Sequence, residues 1–199
     1  MKILLSVFIL CIYCATALAK TSAIIEEWKT HLSVNQSNEL VIREYKRIKI
    51  LDETGYRFAL FHEYYNSFKK IRSLQLTVFD ATNKRIKRLS KGDARDVMIS
   101  PSYEVSDVRM LVLDPEYRNF PFTIEFDVES SYNGFLTLDE WIPRSSHDLQ
   151  VNSAELVLEC HKEYSFKSLE LNGVEKPTVQ ETEKTKVFRW AVANLPSVE

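Results

Sequence analysis

Cys160 and His161 are the only adjacent cysteine and histidine in the chain. They lie in "ELVLECHKEY", where apolar and polar residues alternate, so the segment reads as a strand. Neighbours on a strand point to opposite faces, and these two cannot act on one another. A catalytic thiol gains its low pKa at a helix N-terminus or beside a cation. Cys160 shares its face with Leu156 and Leu158 instead, which predicts a core or half-buried thiol. His31, His62, His147 and His161 show no H-x-x-x-H spacing. The carboxylates of "DPE" (114–116) and "LDEW" (138–141) do not match a calcium loop. There is no G-x-S-x-G, Walker loop or G-x-G-x-x-G. The expectation is therefore no catalytic residue, no cofactor and no metal ligand.

Aromatic residues are the more informative excess, with nine Tyr, eleven Phe and three Trp. "FHEYYNSF" brings Tyr64 and Tyr65 close together, and "LTLDEW" adds Trp141 beside carboxylates. Tyr64, Tyr65 and Trp141 are the candidate binding surface, able to stack on a sugar ring or a peptide. The competing reading is that such side chains fill a sandwich core and its rims, since strands favour aromatics anyway.

Six basic residues crowd a third stretch: Lys84, Arg85, Lys87, Arg88, Lys91 and Arg95. No aromatics interleave with them as a nucleic-acid stacking surface would need. "LQLTVF" reads as a strand, "DATNK" as a polar turn and "RIKRL" as the returning strand. Charges on an exposed hairpin edge also block edge-to-edge aggregation. No nucleic-acid partner is expected.

The elements that position these residues follow from the pattern. The chain opens with Met1-Lys2, an apolar run and Ala17-Leu18-Ala19, a signal-peptide pattern over residues 1–19. That run is too short to span a bilayer, so the remainder is expected to leave the cytoplasm, for the periplasm or the extracellular space, free of the membrane. Loss of Lys2 takes the net charge from −2 to −3. Cys160 is then the only cysteine, which excludes an intrachain disulfide.

From residue 39 onward the period is mostly two, with strands at the spacing of an all-β sandwich. The expected fold is an antiparallel β-sandwich over residues 39–199. It follows a 20–38 segment in which "SAIIEEWKTHL" forms one short helix, with Ile24, Ile25, Trp28 and Leu32 on one side. Asn172-Gly173 is the strongest hairpin signal, because both residues tolerate positive φ.

The order of "LDETGYRFA", "IRSLQLTVFDATNKRIKRLSKGDARDV", "FPFTIEFDVESSYNGFL", "WIPRSSHDLQVNSAELVL" and "FRWAVANLPSVE" resembles a known family. It is the domain of unknown function found N-terminal to transglutaminase-like domains in exported bacterial proteins. Pro121 and Trp190 match its pattern, while Asn83-Lys84 stands where the family has Asn-Gly. The resemblance implies a β-sandwich-like domain in the periplasm or at the cell surface. It also implies a papain-like catalytic domain in cis, whose Cys, His and Asp would follow about where "LPSVE" ends this sequence. The chain is accordingly expected to be a stand-alone version or a piece of such a protein. The functional expectation is an exported, non-enzymatic domain that binds or positions a partner, accessory to that catalytic domain. Two other readings stay open. One is a carbohydrate- or peptide-binding module acting alone, with a cell-envelope protein or glycan as its partner. The other is an enzyme using Cys160.

Overall fold

The computed structural model describes residues 20–99, 107–134, 138 and 140–198. The signal peptide read over residues 1–19 lies outside them. Among the described residues eleven strands form two sheets. The strands are β1 (Ala23–Val34), β2 (Glu39–Ile50), β3 (Phe61–Tyr65), β4 (Lys69–Phe79), β5 (Arg85–Ser90) and β6 (Arg95–Met98). They continue with β7 (Arg109–Leu113), β8 (Phe122–Asn133), β9 (Leu149–His161), β10 (Thr178–Glu181) and β11 (Thr185–Leu195). The large sheet runs β10-β11-β9-β1-β2-β8-β4-β5, and the small one β3-β7-β6. The expected all-β sandwich is present, with one departure: β1 and β9 pair in parallel, so the large sheet is mixed.

The short helix expected at the N-terminus is instead strand β1, and the reason is a β-bulge. Ile25 pairs with Ile48 and Glu27 with Arg47, so Glu26 is an extra residue in the ladder. Inward-facing positions run Ala23, Ile25, then Trp28, Thr30, Leu32 and Val34. The step of three at the bulge produces the i, i+3, i+4 apolar spacing of a helix. Strand neighbours on both sides decide the matter, since β1 is paired along its length with β2 and β9. Strand β4 repeats the device at Arg72, where the inward set passes from Ile71 to Leu74, Leu76 and Val78.

Covering one end of the large sheet are the small sheet and the 3-10 helix Thr54–Ala59. Phe61, Leu111 and Leu113 from the small sheet and Tyr56 from the helix pack on Ile50, Leu76, Val78, Phe122, Ile124 and Phe126. Full burial of a side chain such as Phe122 contributes about 1.5–3 kcal/mol. Gly55 is fixed by packing: a Cβ there would sit 2.0 Å from the Ser22 carbonyl oxygen. Tyr56 reaches the Asp114 carboxylate, and burial followed by that carboxylate pushes its hydroxyl up to about 12.

The outer face of the large sheet is polar. Arg43 pairs with Glu129 at 2.9 Å, and Arg47 donates to Glu26 at 2.7 Å and to Asn83 at 2.6 Å. The basic stretch falls on β5, the edge of the large sheet, and just beyond it. Lys87 donates to the Pro115 carbonyl, Lys91 to the Ile71 carbonyl and Arg88 to Gln75. Half of the cluster is thus tied to its own fold. Asn83 takes φ 65°, so the "DATNK" turn forms without the family's glycine. Asn172 (φ 54°) and Gly173 (φ 80°) form the expected tight turn, closed by Val174 N–H to Leu171 C=O at 3.2 Å. No ladder flanks it; the hairpin of the C-terminal region is β10–β11 instead.

Candidate binding groove

The large sheet's strands run to thirteen residues and the small sheet's to five, so part of the inner face lies beyond the small sheet. There β1 presents Trp28, Thr30 and Leu32, and β2 presents Leu40, Ile42 and Glu44. β9 adds Leu156 and Leu158, and β11 adds Trp190 and Val192. Two irregular segments, around Trp141–Arg144 and Phe166–Val174, stand over this face and leave a cavity of about 880 Å³. Trp190 Nε1 donates to Glu170 at 3.0 Å, and Ser168 Oγ donates to the same carboxylate at 2.6 Å, which ties the second segment to the sheet. These two hydrogen bonds hold Glu170 below the usual glutamate range. Arg144 donates to the Pro196 carbonyl at 2.8 Å and anchors the first segment.

The cavity wall has three chemical parts. Its floor carries two internally neutralised ion pairs. Lys46 Nζ lies 3.2 Å from Glu44 and 3.8 Å from the centre of the Trp28 ring. Lys69 pairs with Glu63 and lies 5.1 Å from the Tyr132 ring. Burial opposes the charge of Lys69, yet Glu63 and Tyr132 hold its pKa above the usual lysine value. The lips are apolar and wet: Leu169 is 81% exposed, Leu171 60% and Ile142 51%. Trp28, Trp141 and Thr30, which line the cavity, each bury a hydrogen-bonding atom that has no partner among the described residues: Trp28 Nε1, Trp141 Nε1 and Thr30 Oγ1. Thr30 is only 8% exposed, so water does not reach its hydroxyl. Leaving a buried polar group unpaired costs about 1–3 kcal/mol, and native proteins keep few of them.

Of the three aromatics singled out by sequence, only Trp141 lines this groove. It packs on Trp28 with ring centres 6.2 Å apart. Tyr65 lies outside it, its hydroxyl donating to Asp96 at 2.8 Å and accepting from Arg109 at 3.1 Å across the small sheet. Tyr64, next in line, points to the opposite face of β3 and is 52% exposed. Missed by sequence reasoning were Trp28 and Thr30, concealed by the β1 bulge, and Leu169 and Leu171. The signal for the last two was available: apolar residues beside a tight Asn-Gly turn with no strand to bury them.

Cys160 is 1% exposed on the inner face with Leu158, and burial pushes its thiol up. His161 is on the opposite face, near Glu163. Among the described residues no three His, Cys, Asp or Glu side chains converge as a metal set.

A family described as a domain of unknown function with solved structures, DUF3857, matches residues 36–199. The chain belongs to the DUF3857 family. No curated protein matches it in sequence. Among solved structures, this DUF3857 domain superposes with a TM-score of 0.74 and 12% identity on a Parabacteroides distasonis protein that bears the provisional name of a protease. The match covers 91% of this chain and 37% of that one, so the chain spans little more than a third of the longer protein. An M1 zinc metallopeptidase from Deinococcus radiodurans matches at a TM-score of 0.43 with 10% identity, over 90% of this chain and 41% of that one.

Proposed function

We propose that this DUF3857 domain is a non-catalytic binding module of an exported protein. It holds a partner in the groove and presents it to a transglutaminase-like catalytic domain. The observation that carries the reading is the groove itself, whose wall buries three polar atoms lacking partners among the described residues and whose lips expose three large apolar residues. Those features disfavour an empty groove, because unmet polar atoms and exposed apolar surface are both relieved by a ligand. The non-catalytic reading is supported by the position of the only thiol among the described residues: Cys160 is buried in an apolar cluster with Leu32, Val34, Leu40 and Leu158, and burial pushes its pKa up. Export is supported by the leader pattern of residues 1–19.

Two measurements on the purified chain test the reading. Incubation with peptide, amide and acyl-donor substrates of cysteine enzymes is expected to give no turnover. A thiol reagent is expected to label Cys160 only after denaturant is added. Turnover that disappears in Cys160→Ala overturns the non-catalytic reading. Recovery of the mature chain from the periplasmic or secreted fraction, beginning at Lys20, is the outcome expected for export.

A further inference from the structure

We infer that the occupant of the groove is an extended, uncharged polypeptide segment with apolar side chains at alternate positions. The inference rests on the binding reading above and names its partner class. Each part of the wall asks for a different chemistry, and one ligand class supplies all of them.

The two indole N–H groups of Trp28 and Trp141 need acceptors, and the Thr30 hydroxyl needs either an acceptor or a donor. Backbone carbonyls and amides of a peptide provide both. The lips, Leu169, Leu171 and Ile142, are exposed and need apolar groups to cover them. Alternate side chains of an extended peptide stand on one face about 7 Å apart and serve that purpose. An acyl chain would cover the apolar surface and leave the three polar atoms unmet. A glycan would meet the polar atoms and leave the aliphatic lips in contact with hydroxyls.

Charge points the same way. Lys46 is paired with Glu44 and Lys69 with Glu63, and the remaining lining charges, Glu140 and Glu170 against Arg144 and Lys167, balance in number, so the wall offers no net charge to a charged ligand. An unpaired charge set against it would be desolvated without return. These polar atoms are closed off from solvent in the free chain, so binding requires the Trp28 and Trp141 side chains to turn, a rotamer-scale change common at interfaces.

The test begins with random peptides of about ten residues displayed on phage and panned on the full chain, a length that spans the groove in extended form. Enrichment of uncharged sequences with apolar residues at every other position is the expected result. Synthetic copies of the winners should bind with an affinity that falls about tenfold or more in Leu169→Asp/Leu171→Asp. Both residues are exposed, so this variant keeps the fold. Thr30→Val should weaken binding as well while leaving the chain folded. Failure to enrich any peptide, or binding indifferent to both variants, overturns the inference. A glycan array and palmitate are run beside it. Should either bind in place of peptides and be lost in the lip variant, the peptide class fails and the binding reading stands. Silence from all three probes removes the binding reading too.

Discussion

Thr30 holds a hydroxyl that is buried and has no partner among the described residues. A buried unpaired group of this kind destabilises the free protein, and replacing it by an isosteric methyl removes the penalty. Thr30→Val is therefore expected to raise the free chain's stability by about 1 kcal/mol, read from the denaturant midpoint. A loss of stability would mean that the hydroxyl is already satisfied. Gly55 poses the opposite problem. It approaches the Ser22 backbone so closely that a methyl group has no space. Gly55→Ala should lower stability by about 3 kcal/mol, because neither the 3-10 helix nor β1 can move without disturbing the core; thermal unfolding reads the shift directly. At this scale the sequence reads well for Cys160. The alternation of "ELVLECHKEY" predicts both its burial beside Leu158 and the separation of His161, and the structure shows both. It reads poorly for Thr30, since nothing local distinguishes a buried threonine from one on the outer face of a sheet.

Strands β2, β4, β8 and β9 were legible from their period of two, and the "DATNK" turn from its Asp and Asn. Strand β1 was not. Its bulge adds one residue, and the phase shift imitates a helix over the very stretch that supplies Trp28 and Thr30. The Asn172-Gly173 turn was correctly read as a turn and wrongly given flanking strands, because turn chemistry sets local φ but not what the arms pair with. In the structure that turn shapes a lip of the groove. The lip is held by Glu170, whose pKa is lowered by Ser168 and then by Trp190. A carboxylate with a depressed folded pKa stabilises above its unfolded value, and the effect is lost as pH falls through the folded one. The tether formed by Ser168, Glu170 and Trp190 is thus expected to be intact near neutrality and to loosen only as pH falls below the usual glutamate range. Hydrogen exchange over residues 166–174, corrected for intrinsic rates, should quicken on acidification ahead of the β9 amides. Glu170→Ala should show the loosened exchange already at neutral pH. Equal protection in the variant and the parent would remove Glu170 as the anchor.

At the scale of the whole molecule, the sandwich follows from the number and spacing of strands, and the match of DUF3857 over residues 36–199 agrees with the order of motifs read in the sequence. The groove does not follow from either. It arises because a small sheet of short strands stops before the long strands of the large one, and because two distant segments, near Trp141 and Leu171, come to stand over the same inner face. Such a site depends on contacts between residues more than a hundred positions apart, such as Trp28 with Trp141, which no local pattern encodes. The central claim is that this groove is the functional surface and that its unmet polar atoms are met by a peptide. The most direct measurement is the indole N–H region of a proton–nitrogen spectrum, which holds one signal for each of the three tryptophans. Titration with a panned peptide is predicted to shift the Trp28 and Trp141 signals downfield as their N–H groups gain acceptors. Trp190, already bonded to Glu170, should move little. Saturable binding with Trp28 and Trp141 unmoved, or with Trp190 alone displaced, would contradict the account.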